Sequence, residues 1–281
     1  MATNGRRHAR GPSAASARPA ARPRSLRGAN GLAALGYLAA IGLAELVAAT
    51  VNPEWGVLMH VAILCALLLQ AALAPWSWPD QAFFLALVIA PLIRIVSLGM
   101  PLGRFAQEWW YLLTAVPLFA ACFVLTRTIG LPRAAIGLRL PQPRDWPLTL
   151  LVALSGLALG GLEYLILRPA PIVSGGSFGP LLLASLILLV CTGVIEELIF
   201  RGILLVTVGA LLGSTGSAIY TSVLFGLMHI GHLSVLDVFF VTAVALYFTA
   251  AVRRTGSLLG VSLSHGLTNI VLFVVLPLLL R

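Results

Sequence analysis

Long apolar runs separated by short polar breaks dominate the chain. About nine such runs, roughly 31–51, 57–75, 82–101, 109–126, 147–166, 179–200, 211–230, 234–252 and 257–280, approach the roughly 20 residues that carry an α-helix across a bilayer. A backbone in lipid must satisfy its own hydrogen bonds, and no alternating strand pattern is present. The pattern therefore predicts an all-α fold, a polytopic transmembrane helical bundle of about eight to nine spans. Turns such as Asn52-Pro53-Glu54 and Trp76-Ser77-Trp78-Pro79-Asp80 part the first runs. Residues 1–28 lack apolar periodicity and are rich in Arg, Ala, Pro and Ser, which predicts a disordered basic tail. They do not read as a cleavable signal peptide, because both the basic and the following apolar stretch are too long. The longest polar linker covers 127–146, and its second half, 136–146, reads as a loop entering the membrane again. It divides N-terminal transmembrane helices (29–130) from a second unit (131–281) in which the polar chemistry is concentrated.

Composition sharpens this picture. Charged residues make up 10% of the 281 and hydrophobic ones 59%, whereas an ordinary soluble domain carries about 25% charge. A soluble enzyme and a nucleic-acid-binding domain are both excluded on that ground, despite the net charge of +9. The basic residues are all arginines and fall in clusters: Arg6, Arg7, Arg10, Arg18, Arg22, Arg24 and Arg27 in the tail, then Arg127, Arg133, Arg139 and Arg144 in the linker. Under the positive-inside rule both clusters are cytoplasmic, as is Arg253-Arg254, which puts the N-terminus inside. The C-terminus then lies outside with nine spans and inside with eight. Arginine without lysine, with abundant Ala and Gly, points to a bacterial cell membrane. Cys65, Cys122 and Cys191 sit singly in apolar runs, which predicts packing rather than disulfide or zinc chemistry.

Ionisable groups inside a bilayer are costly, and each asks for a reason. Glu45, His60 and Arg94 are single residues of the early runs and are expected to partner other spans. Glu163 and Asp237 lie near span ends and are expected to reach interfacial water. His232 follows His229 by one turn and could share its face. Three motifs differ in kind. In Glu196-Glu197-Leu198-Ile199-Phe200-Arg201, helical geometry puts Glu197 and Arg201 one turn apart, where they can pair, and turns Glu196 away, unpaired and available. In Phe225-Gly226-Leu227-Met228-His229, Phe225 forms an apolar wall beside the imidazole. In His265-Gly266-Leu267-Thr268-Asn269, imidazole and carboxamide share a face. Each of the last two could be interhelical glue. Together they supply a carboxylate base, two imidazoles and a neutral donor, the parts that peptide hydrolysis requires.

EExxxR, FxxxH and HxxxN, in that order on late transmembrane helices, resemble the CPBP family of intramembrane endopeptidases. This is the CAAX-protease and bacteriocin-processing, or Abi, family, with the Rce1-type CAAX prenyl proteases among its members. The resemblance covers about 135–275 and makes 131–281 a CPBP/Abi-like catalytic domain. It implies about eight spans around an intramembrane active site. It further implies that Glu196 and His229 activate water while His265 and Asn269 complete the site and support the oxyanion. Glu197, Arg201 and Phe225 take supporting positions. The implied activity is cleavage of a membrane-associated peptide or protein at the bilayer.

Alternatives remain at this level. Glu196, His229 and His265 could instead hold zinc, although HExxH is absent and the Rce1-type enzymes imply no metal. The chain could be a non-catalytic bacteriocin-immunity protein or membrane scaffold. A transporter would show repeat symmetry, and none is visible. One conflict stands: the expected span ends put Glu196 near the inner end of one helix and His229 near the outer end of the next. Either 202–213 belongs to the membrane structure or the boundaries there are misplaced; misplaced boundaries are the expectation.

Overall fold

A computed structural model describes residues 29–73, 77–173, 175 and 177–280, and the expected disordered tail lies outside these. The described residues form helices and turns, with no strand. Eight helices are long and apolar enough to cross a membrane, so this is an integral membrane protein with an all-α fold. Its first half comprises α1 (Ala29–Thr50), α2 (Pro53–Leu73), α3 (Trp78–Leu87), α4 (Ile89–Gly99) and α5 (Gln107–Ile129). Helices α3 and α4 join at Val88 and run as one apolar stretch, Trp78–Gly99. After the linker comes α6 (Trp146–Leu167).

The linker is docked rather than loose. Gly130 ends α5 in the left-handed conformation that glycine adopts without strain. Residues 137–139 then meet the turn after the helix Val235–Thr255. The Leu258 amide donates to the Gly137 carbonyl (3.0 Å), and the Ser257 hydroxyl donates to that of Arg139 (2.6 Å).

The second half carries a departure from the expected spans. From Phe178 the chain is helical as α7 (Phe178–Leu188), a π-helical stretch (Leu189–Val194), α8 (Ile195–Glu197), a second π-helical stretch (Leu198–Leu204) and α9 (Leu205–Leu227). Helical character extends over 55 residues, Phe178–His232. At about 1.5 Å per residue that is far longer than a hydrocarbon core of about 30 Å. Gly213 resolves the excess, because its φ of 77° and ψ of −178° break the helix where only glycine is unstrained. The chain folds back there: the Phe200 and Phe225 rings meet with centroids 4.9 Å apart, at nearly equal distances along the chain from Gly213. The first arm thus runs on through 202–212, well past the boundary expected near 200. That boundary was drawn too early because the apolar run dips at Arg201-Gly202, a dip caused by the site itself. Glu196 is therefore inside a long arm, not at a helix end, and the conflict over its level relative to His229 disappears.

Helices α10 (Val235–Thr255), α11 (Leu259–Ile270), a π-helical stretch (Val271–Val275) and α12 (Leu276–Leu279) complete the chain. Small residues let α11 approach its neighbours. A β-carbon at Gly193 would stand 2.6 Å from the Ser262 carbonyl oxygen and 2.7 Å from the Gly266 nitrogen. One at Gly160 of α6 would stand 2.6 Å from the Thr268 carbonyl oxygen. Membrane helices associate through such close approach, since lipid gives no hydrophobic drive between them. The consequence is that α11 lies against both α6 and the stretch carrying the glutamates.

The fold-back makes a direct prediction. Gly213→Ala destabilises the protein by about 1–3 kcal/mol, the cost of forcing a β-carbon into this backbone region. Gly36→Ala in α1, where nothing lies within 4 Å, leaves the melting temperature in detergent unchanged or higher. Equal melting temperatures for the two variants would contradict a hairpin hinged at Gly213.

Candidate active site

Glu197 is fully buried, and its Oε1 accepts a hydrogen bond from the Arg201 guanidinium at 2.8 Å. The helical spacing of the pair predicted this contact. The same oxygen lies 2.9 Å from Nδ1 of His265, which α11 supplies. Around the guanidinium stand three rings, with centroids 4.4 Å (Phe225), 5.6 Å (Phe248) and 6.0 Å (Phe200) away. An arginine so enclosed is stabilised by the faces of the rings as well as by its carboxylate. Two separate stretches of chain are pinned by one carboxylate oxygen.

Glu196 points differently, again as the geometry predicted. Its side chain is 31% accessible, against none for Glu197. It is not wholly unpartnered, however: Oε2 lies 3.8 Å from Nε2 of His265. The imidazole of His265 therefore stands between the glutamates, bonded to one and facing the other. A gap of 3.8 Å is too long for a direct hydrogen bond.

His229 follows the end of α9, and its Nδ1 lies 2.8 Å from the Phe225 carbonyl oxygen. Donation from Nδ1 to that carbonyl leaves Nε2 as the free nitrogen. The Phe225 ring lies 4.7 Å from the His229 ring and 6.0 Å, edge-on, from that of His265. Its contacts are thus wider than the motif alone implied, since it lies against both imidazoles. The Asn269 amide donates to Thr192 Oγ1 at 2.8 Å, and Thr192 in turn donates to the Leu188 carbonyl at 2.5 Å. His229, His265 and Asn269 line one cavity of about 30 Å³, with Glu163, Thr268 and Phe225 among its other walls. That volume accommodates a water. Glu196 is not in its lining and joins the group through His265.

Glu163 and Asp237 correct the expectation of interfacial water. Both are buried, at 6% and 0% exposure. Asp237 lies 2.8 Å from Nδ1 of His232, whose ring stands 5.5 Å from that of His229. The span ends misled here: Val235–Thr255 begins beneath the turn Ile230–His232, which covers Asp237, and α6 packs Glu163 inward against the cavity. Thr192 was missed entirely, as a lone threonine in an apolar run carries no signal. Its spacing of one turn from Glu196 was the available clue. Glu45, His60 and Arg94 do partner other spans, chiefly each other: Arg94 Nε donates to Glu45 Oε1 at 2.6 Å, and His60 Nε2 lies 3.3 Å from the same oxygen. Among the described residues, no group of three or more His, Cys, Asp or Glu side chains is arranged to hold a metal ion.

Residues 178–271 match the Rce1-like family, described as type II CAAX prenyl endopeptidase Rce1-like. The match takes in all three motifs and begins later than the start near 135 expected from the resemblance. Neither the curated proteins nor the solved structures gave a match to this chain. The segment that holds the glutamates, both imidazoles and Asn269 is thus the part of the chain similar to that family.

The two glutamates are expected to separate in stability measurements. Glu197→Gln leaves Arg201 buried without its counter-charge, which costs roughly 3–5 kcal/mol. Glu196→Gln removes no close partner and shifts the unfolding midpoint little. Thermal or denaturant unfolding in detergent checks this, and equal destabilisation by both variants would contradict the division of labour.

Proposed function

We propose that this chain is an intramembrane endopeptidase that hydrolyses peptide bonds of membrane-associated proteins or peptides. The observation that carries the reading is the placement of His265 between Glu196 and Glu197, beside a water-sized cavity shared with His229 and Asn269. In this scheme Glu196, with His229, takes a proton from water, and the resulting hydroxide attacks the scissile carbonyl. His265 and Asn269 donate hydrogen bonds to the oxyanion of the tetrahedral intermediate. The proton passes to the leaving amine as the C–N bond breaks. Glu197 and Arg201 contribute by holding His265 in place, a role that needs no contact with substrate. Burial within the bundle strengthens each of these interactions by lowering the local dielectric.

The scheme works without a metal. A bacterial source makes a prenylated substrate unexpected, so a peptide leader or a membrane-protein terminus is the proposed substrate class. The clustered arginines support a cytoplasmic N-terminus.

Two measurements test the proposal. New protein termini are compared between membranes containing the wild type and membranes containing Glu196→Gln. The variant is expected to lower cleavage by about 10²–10⁴-fold, the usual share of a general base. Unchanged termini, with the cellular effect of the protein retained, would favour a non-catalytic scaffold. Exhaustive chelation is expected to leave cleavage intact, and complete loss restored by zinc would contradict the metal-free scheme.

A further inference from the structure

The matched segment leaves α1 to α5 without an assigned task, yet these helices bury a carboxylate and an imidazole and set a half-buried arginine against them. Glu45 is 2% exposed and His60 0%. Burying such groups in a membrane bundle is expensive for packing alone. The destination of the arginine supplies a reason. Beyond its bond to Glu45, the Arg94 guanidinium donates through a second nitrogen to the backbone carbonyl of Met228. Met228 ends α9, where backbone carbonyls lack helical partners, and a cation there also meets the negative end of the helix dipole. The next residue is His229. Its amide bond is the one that Arg94 grips.

The first helices approach α9 along this side. The Tyr220 hydroxyl donates to the Ala34 carbonyl at 3.0 Å, and the Phe83 and Tyr220 rings lie 5.9 Å apart. Further along, a β-carbon at Gly42 would stand 3.3 Å from the Leu227 side chain. Of these contacts, that of Arg94 is made to the residue that precedes His229. His229 itself has backbone angles outside the helix (φ −99°, ψ 4°), so the helix alone does not fix it. Its only side-chain hydrogen bond among the described residues goes to Phe225, one turn back in α9.

From this we infer that Arg94, anchored by Glu45, is a positioning residue for His229: it fixes the Met228–His229 peptide and so the direction in which the imidazole presents its free nitrogen. The N-terminal helices thereby form one wall of the site's support. The inference rests on the proposed endopeptidase reading for its kinetic consequence, but its structural consequence stands without it.

The test uses the full chain in detergent or nanodiscs, labelled with ¹⁵N-histidine, with the His229 resonance assigned by its loss in His229→Gln. Wild type is expected to give one narrow Nδ1–H resonance for His229, hydrogen-bonded to Phe225. Arg94→Met is expected to broaden or split it, and Arg94→Lys, which keeps a cation, to restore it at least in part. On a cleaved substrate, Arg94→Met is expected to lower kcat by roughly 10- to 100-fold with KM within about twofold, as a misaimed catalytic group does. A His229 resonance and kcat both unchanged in Arg94→Met would overturn the inference. A lower melting temperature with an unchanged resonance would do so too, since it leaves Arg94 a purely structural role. If Arg94→Met does not fold, Glu45→Gln, which removes only the anchor, is read by the same criteria. A disturbed resonance in a protein whose wild type cleaves nothing would uphold the positioning of His229 and count against the protease reading alone.

Discussion

A single carboxylate oxygen, Oε1 of Glu197, holds the second half of this protein together. It binds Arg201 one turn along its own arm and His265 from α11, and Arg201 in turn lies against the ring of Phe225 on the returning arm. In water such contacts would be weak. Inside a membrane bundle each partner is costly when left alone, so the cluster forms as a whole or not at all. The same cluster sets the orientation of the imidazole that faces Glu196. Burial and exposure are divided between adjacent glutamates: Glu197 is sealed in, and Glu196 is left with an accessible side chain.

The folding of the long apolar segment at Gly213 is what makes this geometry possible. Without it, Phe225 and His229 would continue away from the glutamates instead of returning beside them. Close helix crossings at Gly160 and Gly193 bring α11 into the same space. The matched family segment ends at residue 271, but the cavity also takes Glu163 from α6, and Met228 is gripped by Arg94 from α4. The site is therefore built by more of the chain than its motifs cover.

Much of this was legible in the residues. Run lengths gave the helical membrane fold, and one-turn spacing gave the Glu197–Arg201 pair and the opposite aim of Glu196. The order of the three motifs gave the resemblance that the match over 178–271 repeats. What the sequence could not show depended on contacts between distant stretches. Spans were cut short at Arg201-Gly202 because hydropathy drops at polar residues whether or not the helix ends. Glu163 and Asp237 looked interfacial because distance from a span end says nothing of what packs above it. Thr192 gave no signal because its partner, Asn269, is supplied by another helix. That Glu45 and Arg94 partner other spans followed from the cost of buried charge, but their pairing with each other and the reach of Arg94 to Met228 did not.

The central claim is that a water activated at Glu196 attacks a peptide bond within the bundle. Running the reaction in H₂¹⁸O with purified protein and its membrane substrate tests this most directly. The account predicts one ¹⁸O atom in the carboxylate of each newly formed C-terminus with the wild type, and a yield about 10²–10⁴-fold lower with Glu196→Gln. Labelled product at equal yield from both proteins would contradict it.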